Sequence, residues 1–346
     1  MVSSRPAFVS QLRLNPLTGR WVTVAVDRAG RPGDLTSRRM PVEADPGRPC
    51  PFCPGHEEDT PPALETYGPT GNWVVRVVPN LYPAFDGAEA MGVANLGPVF
   101  IQARASGIHE VLVLSPEHAA GWADLNDKQA GLVMAALRDR FEDHARHSTV
   151  RYTQAIVNHG REAGASLEHP HGQLLGIPFV PGELADELSA FLRFEGSCVL
   201  CTAIEAELSA GHRVVVVDDR AAVVCPFWSG SPYEMLVVPL THEARLDQST
   251  PGDVVAVGRS IRDSLAKLRE LVGDAAYNIV FHTAPHHADA EFHWHVHLMP
   301  RVTSIAGFEQ GTGVMINIVA PERAAQELRA VGALPELEGA VPSGER

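Results

Sequence analysis

The 346 residues carry 42 acidic against 28 basic side chains, a formal charge of −14, and 45% of them are apolar. That excess of acid opposes non-specific attraction to a nucleic-acid backbone or an anionic membrane, so a small anionic substrate needs a locally basic site. The length favours two domains, no apolar run approaches the roughly 18 residues of a membrane span, and residues 1–10 lack the apolar stretch of a signal peptide, so a soluble cytoplasmic protein is expected.

In chain order, the segment to about residue 49 is rich in Arg, Pro and Gly and predicts a strand followed by an extended arm. Cys50-Pro51-Phe52-Cys53 then places two thiols on one tight turn. An apolar strand runs from Glu110 towards His118, and an amphipathic helix follows over Asp127–Arg146, with Leu132, Val133, Ala136, Leu137 and Phe141 on one face. A second apolar strand covers 152–158, and a Gly-rich stretch at 160–166 leads into His169-Pro170-His171-Gly172-Gln173.

The same succession then recurs. Cys198 and Cys201 form a second Cys-x-x-Cys pair, Glu234 opens an apolar strand that ends at His242, a helix is expected over 253–271 and a strand over 277–282, and His293-Trp294-His295-Val296-His297 closes the series. Glu110, His118, His169 and His171 match Glu234, His242, His293 and His295 at one offset of 124 residues, and each His-to-His interval is 51 residues. A pattern kept at one period in text and spacing marks duplication, so two homologous domains are predicted, 1–185 and 186–346, with the boundary within 181–197. Each unit reads as α+β, a mostly antiparallel sheet backed by a long helix. The fifth cysteine, Cys225, ends an apolar strand and reads as an inert core thiol. The tail after Leu334 is expected to fray.

Two thiolates on a tight turn are the usual first half of a tetrahedral zinc site, and imidazoles from distant strands complete it. The spacing nominates Cys50, Cys53, His118 and His169 for one site and Cys198, Cys201, His242 and His293 for a second. Four protein ligands leave no position for water or substrate, so such zinc ions are structural and position a neighbouring residue. That neighbour is His171: residues two apart in an extended chain share a face, so a metal-bound His169 fixes the backbone from which His171 projects. Gly172 is expected to leave room beside the ring, and Gln173 to hydrogen-bond a phosphate oxygen. Neutral imidazole is a competent nucleophile at phosphorus and, once phosphorylated, a good leaving group, which suits a two-step transfer. Alone, one His-x-His among 16 histidines is unremarkable.

Four segments make a resemblance specific: Asn15-Pro16-Leu17-Thr18-Gly19-Arg20-Trp21 with Arg28, Arg31 and Pro32; Cys50 to Gly55; Val78-Pro79-Asn80-Leu81-Tyr82-Pro83; and His169 to Gln173. Over nearly its whole length the chain resembles the galactose-1-phosphate uridylyltransferase branch of the histidine-triad superfamily, so each unit should be histidine-triad-like. The resemblance implies a ping-pong exchange of a nucleotidyl (UMP) group between a nucleotide sugar and a hexose 1-phosphate, through a covalent intermediate on His171, in a homodimer. It further implies that Gln173 assists, that Arg28 and Arg31 hold the diphosphate, that Asn80 lies in the base and ribose loop, and that Asn158 and Ser166 lie near the phosphates. Phe308 and Glu309 match an aromatic and acidic pair that touches the sugar, whereas Met315 or Asn317 stands where the family carries a sugar-holding Gln. Residues 306–313 also resemble the branch that includes ADP-glucose phosphorylases, so phosphorolysis of ADP-glucose is the alternative. A non-catalytic zinc-organised nucleotide-binding module is the reading from another class. His295 is the rival nucleophile, disfavoured by its bulky neighbours Trp294 and Val296. His282, His286 and His287 read as surface or supporting histidines.

Overall fold

A computed structural model describes residues 10–30, 49–196, 198–288 and 291–332. Arg31, the expected arm and the tail after Leu334 lie outside the described residues. The first half contains β1 (Gln11–Leu14), β2 (Trp21–Val24), β3 (Glu65–Tyr67), β4 (Val75–Pro79), β5 (Val93–Asn95), β6 (Ile101–Ala103), β7 (Ile108–Val113), α1 (Asp127–Arg146), β8 (Tyr152–His159) and β9 (His171–Ile177). Then follow α2 (Gly182–Arg193), α3 (Val199–Ala210), β10 (Val214–Val217), β11 (Ala221–Val224), β12 (Met235–Pro239), α4 (Pro251–Val272), β13 (Tyr277–His282), β14 (His295–Pro300), α5 (Gly307–Thr312), β15 (Met315–Asn317) and α6 (Pro321–Ala330).

Ten strands form one antiparallel sheet in the order β10-β11-β12-β14-β13-β8-β9-β7-β4-β3. Read outward from the β8–β13 seam, the two halves present equivalent strands in the same order, which is the duplication seen in the sequence. Asn158 stands opposite Asn278 across the seam and Val157 opposite Ile279. The strand expectations at 152–158 and 277–282 hold to within one residue.

Local chemistry explains both long helices. Asn126 caps α1 by accepting from the Gln129 amide while the Gln129 side chain accepts from Asn126 N–H. Thr250 caps α4 with Pro251 at its first position, so α4 starts two residues before the expected 253. The two helices cross where Gly258 meets α1: a Cβ there would lie 2.7 Å from Met134 Cγ and 2.9 Å from the Ala130 carbonyl. They cover one face of the sheet, where Leu137, Phe141, Val257 and Ile261 join Ala155, Val157, Ile279, Phe281, Val296 and Leu298 in one core drawn from both halves. Helices α2 and α3 lie on the opposite face, packed with Tyr152, Leu236, Val238 and Phe292.

The N-terminal hairpin β1–β2 is joined in parallel by β15, so the start of the chain is stitched to its C-terminal half. Among the described residues, no helix is long and apolar enough to cross a membrane.

Candidate active site and metal centres

Cys50, Cys53, His118 and His169 converge, their ligand atoms within 4.8 Å of one another. Cys53 Sγ lies 3.3 Å from His118 Nδ1 and 3.6 Å from His169 Nδ1. His169 Nε2–H donates to the Ser115 carbonyl at 2.8 Å, which leaves Nδ1 unprotonated and facing the sulfur. Burial holds His169 near a pKa of about 4, the neutral form a metal requires, and burial beside Cys50 raises Cys53 to about 11. Two sulfurs and two imidazole nitrogens converging at this spacing are the tetrahedral donor set of a dication such as zinc.

The second centre repeats the first. Cys201 Sγ lies 3.5 Å from His242 Nδ1 and 3.4 Å from His293 Nδ1, and His293 Nε2–H donates to the Pro239 carbonyl at 3.0 Å. Ser115 and Pro239 are themselves 124 residues apart. Cys198 caps α3, so a metal held here would anchor that helix to the sheet.

His171 is the first residue of β9 and 7% exposed, with Nδ1–H donating to the His169 carbonyl at 2.8 Å. Nε2 therefore carries the lone pair, and it has no protein partner among the described residues. Phe52, from the first Cys-x-x-Cys turn, packs on the ring with centroids 5.4 Å apart, so the metal turn braces the histidine directly. Burial lowers the His171 pKa and keeps the ring neutral. Asn158, His159, Gly160, Glu168 and Tyr277 line a cleft at this ring. Gln173 follows on the same face. Gly172 does not serve the ring as expected: its absent side chain points the other way, where a Cβ would lie 3.0 Å from the Ile156 carbonyl and 3.1 Å from Val157, so it allows β8 to approach.

The equivalent place in the second half is filled. At the common offset His282, His295 and His297 replace Asn158, His171 and Gln173. Glu187 reaches in from α2, 3.0 Å from His282 Nδ1 and 3.8 Å from His295 Nε2. The four residues form a third group whose ligand atoms lie within 4.8 Å and could hold a metal ion. His295 has zero exposure, and the Glu187 carboxylate, itself buried, faces its Nε2. His282 and His286 are thus not surface residues, since His282 faces Glu187 and His286 is 1% exposed; His287 is exposed. Sequence spacing did not reveal Glu187, because it lies outside the duplicated pattern.

The remaining residues divide. Asn80 lies beside His109, a residue that no motif marked: His109 Nε2 is 2.8 Å from Gln173 Oε1, and Asn80 Nδ2 stands 3.1 Å from the same ring nitrogen. Ser166 is exposed in the loop before His169, and Arg28 is exposed in the short helix Val26–Gly30 that follows β2. Phe308 is 52% exposed on α5, where Glu309 caps the helix by accepting from Ala306 N–H; neither lines the His171 cleft. Met315 is half-buried beside Gly230, whereas Asn317 is buried and donates to the Ser229 and Ser231 carbonyls, which is a structural duty. Cys225 is fully buried, and burial pushes its thiol far up, as an inert core residue requires.

A duplicated antiparallel sheet with paired Cys/His centres and a His-x-His strand start defines the histidine-triad type of nucleotide-handling protein. The pattern described as galactose-1-phosphate uridyl transferase, N-terminal domain, matches residues 3–181, and the chain belongs to that family of nucleotidyl-transferring enzymes. A domain of unknown function matches residues 118–339. An ADP-glucose phosphorylase of Arabidopsis thaliana is 30% identical over 334 residues, 93% of each chain. A galactose-1-phosphate uridylyltransferase of Thermotoga maritima is 28% identical over 92% of this chain and 98% of its own. The crystal structure of an ADP-glucose phosphorylase from Arabidopsis thaliana with bound ADP-glucose superposes with a TM-score of 0.81 at 29% identity, covering 94% of this chain and all of that one.

Proposed function

We propose that the chain transfers a nucleotidyl group between a nucleotide sugar and a hexose 1-phosphate, with UDP-glucose as donor, through a covalent intermediate on His171. The observation that carries this is the contrast between two equivalent histidines: His171 has a free Nε2 beside a cleft, and His295 is sealed under Glu187.

In the first step the His171 Nε2 lone pair attacks the α-phosphorus. The N–P bond forms as the bond to the bridging oxygen breaks, and the electron pair leaves with glucose 1-phosphate. Positive charge develops on the ring, and Nδ1–H shares it with the His169 carbonyl at 2.8 Å. In the second step an acceptor phosphate oxygen attacks phosphorus and the P–N bond breaks, restoring neutral His171. Asn158 and Gln173 offer amide donors to the phosphate oxygens, and Arg28 supplies positive charge to an otherwise acidic molecule. Zinc in the two Cys/His centres would supply folding energy and a fixed backbone at His169, with no open position for substrate.

Phosphorolysis of ADP-glucose is the second reading, favoured by the Arabidopsis relative. Without acceptor, protein mixed with UDP-glucose or ADP-glucose should release about one glucose 1-phosphate per chain and stop, the burst expected of a covalent intermediate. Regeneration by galactose 1-phosphate supports the first reading, and regeneration by inorganic phosphate the second. Release of no sugar phosphate from either donor would leave the non-catalytic nucleotide-binding module.

A further inference from the structure

An amide side chain beside a phosphate is useful in one orientation only, since its NH2 attracts the anion and its oxygen repels it. The two orientations are nearly isosteric, so shape alone does not select between them and a hydrogen-bonded neighbour must. Both amides assigned to the phosphates have such a neighbour.

For Gln173 the neighbour is His109 on β7. Val111 stands opposite Gln173 and His109 opposite Leu175, so His109 and Gln173 are diagonal neighbours on one face. The Ala84 backbone N–H, which can only donate, points at His109 Nδ1 at 3.0 Å. Nδ1 must therefore accept, and the proton of the neutral ring is on Nε2. Asn80 commits its oxygen to the Tyr82 amide at 2.9 Å and turns its NH2 to the ring at 3.1 Å, a group that cannot accept a proton, so the Nε2 proton goes to Gln173 Oε1 at 2.8 Å.

For Asn158 the neighbour is Asn278, across the seam between the two halves. Arg301 Nε, again a donor only, lies 2.6 Å from Asn278 Oδ1, which fixes the Asn278 amide. Its nitrogen then donates to the Ala163 carbonyl at 2.9 Å and to Asn158 Oδ1 at 2.8 Å. Both hydrogen-bond chains end on groups whose polarity cannot be inverted, a backbone N–H in one case and a guanidinium with a carbonyl in the other.

We propose that His109 and Asn278 are positioning residues that tie down the side-chain oxygens of Gln173 and Asn158, leaving both NH2 groups to the nucleotide phosphates at His171. The proposal rests on the nucleotidyl-transfer reading above and adds a duty for the second half: through Asn278 and Arg301 it sets a donor in the active site of the first. An isolated first half would lack that restraint.

The test is a pair of double-mutant cycles read on the single-turnover rate of glucose 1-phosphate release, with whichever of UDP-glucose and ADP-glucose the wild type uses. His109→Leu should slow release about tenfold, and Asn278→Asp, which forces the Asn158 oxygen towards phosphate, about a hundredfold, in the range of losing one oxyanion donor. His109→Gln, whose amide nitrogen reaches the place of ring Nε2, should stay within about threefold of wild type. The decisive readout is non-additivity: His109→Leu should add less than about twofold in a Gln173→Ala background, and so should Asn278→Asp in an Asn158→Ala background. Thermal midpoint and zinc content confirm folding, and Asn278→Ala replaces Asn278→Asp in the cycle if the latter does not fold. Effects that multiply undiminished in those backgrounds, or His109→Gln as slow as His109→Leu, overturn the inference while the reaction stands. A wild type that releases no sugar phosphate overturns the reaction itself, and the inference falls with it.

Discussion

His286 shows how far a single buried residue shapes this protein outside the cleft. Its Nε2 lies 2.7 Å from Thr153 Oγ1, which lies 3.0 Å from His144 Nδ1, and all three side chains are at most 1% exposed. Burial, with the Arg245 cation nearby, pushes His286 down to about 4 from 6.5. The unfolded chain takes this proton near pH 6.5 and the folded chain only near 4, so the stability His286 contributes is complete above 6.5 and is lost as pH falls to about 4. The full loss is about 3 kcal/mol. Urea unfolding at pH 7 and pH 4.5 should therefore show a smaller pH difference for His286→Gln than for wild type, and an unchanged difference would contradict this account. At the same scale some residues can be read from the sequence and others cannot. The Cys and His positions were legible because metal ligation needs those residue types at repeated spacings. Gly172 was misread, because a period of two says which residues share a face but not which neighbour crowds it. His109 was invisible, because its partners Ala84 and Gln173 meet it only through strand pairing and a loop.

Helix α2 is the element that makes the two halves unequal. It lies within 181–197, a stretch the sequence marks only as a boundary, yet it brings Glu187 over His282 and His295, and Arg20 holds it through Glu183 and Asp186 at 2.6 and 2.8 Å. The rejection of His295 thus rests less on Trp294 and Val296, which are buried as expected, than on a carboxylate that no motif announced. Helix α3 depends on chemistry instead: Cys198 is its cap and Cys201 lies in its first turn. Cys198→Ser should lose about one zinc per chain and several kcal/mol of stability before any direct effect on chemistry, because metal-binding energy is recovered as folding energy. Metal analysis and thermal unfolding check this, and a fully stable Cys198→Ser protein with unchanged zinc would remove the second centre.

At the scale of the molecule, the repeat of 124 residues foretold the architecture, and the offset carries over to the long helices, the carbonyl partners and the histidine ligands, whereas the two Cys-x-x-Cys turns stand 148 residues apart. It did not foretell the seam. Pairing of β8 with β13 is a choice between edges that each half presents separately, and nothing in either strand's own pattern names its partner. We accordingly propose that 1–185 and 186–346 are best regarded as two copies of one unit sharing a sheet and a core, with chemistry kept in the first copy and support in the second. That division of labour is tested most directly by locating the covalent adduct. Protein incubated with nucleotide-labelled UDP-glucose or ADP-glucose without acceptor should carry label that acid removes and alkali spares, as a phosphoramidate does, and on the peptide containing His171. The label should vanish in His171→Asn and persist in His295→Asn. Label on the peptide containing His293 to His297 would contradict the account and move the active centre by 124 residues.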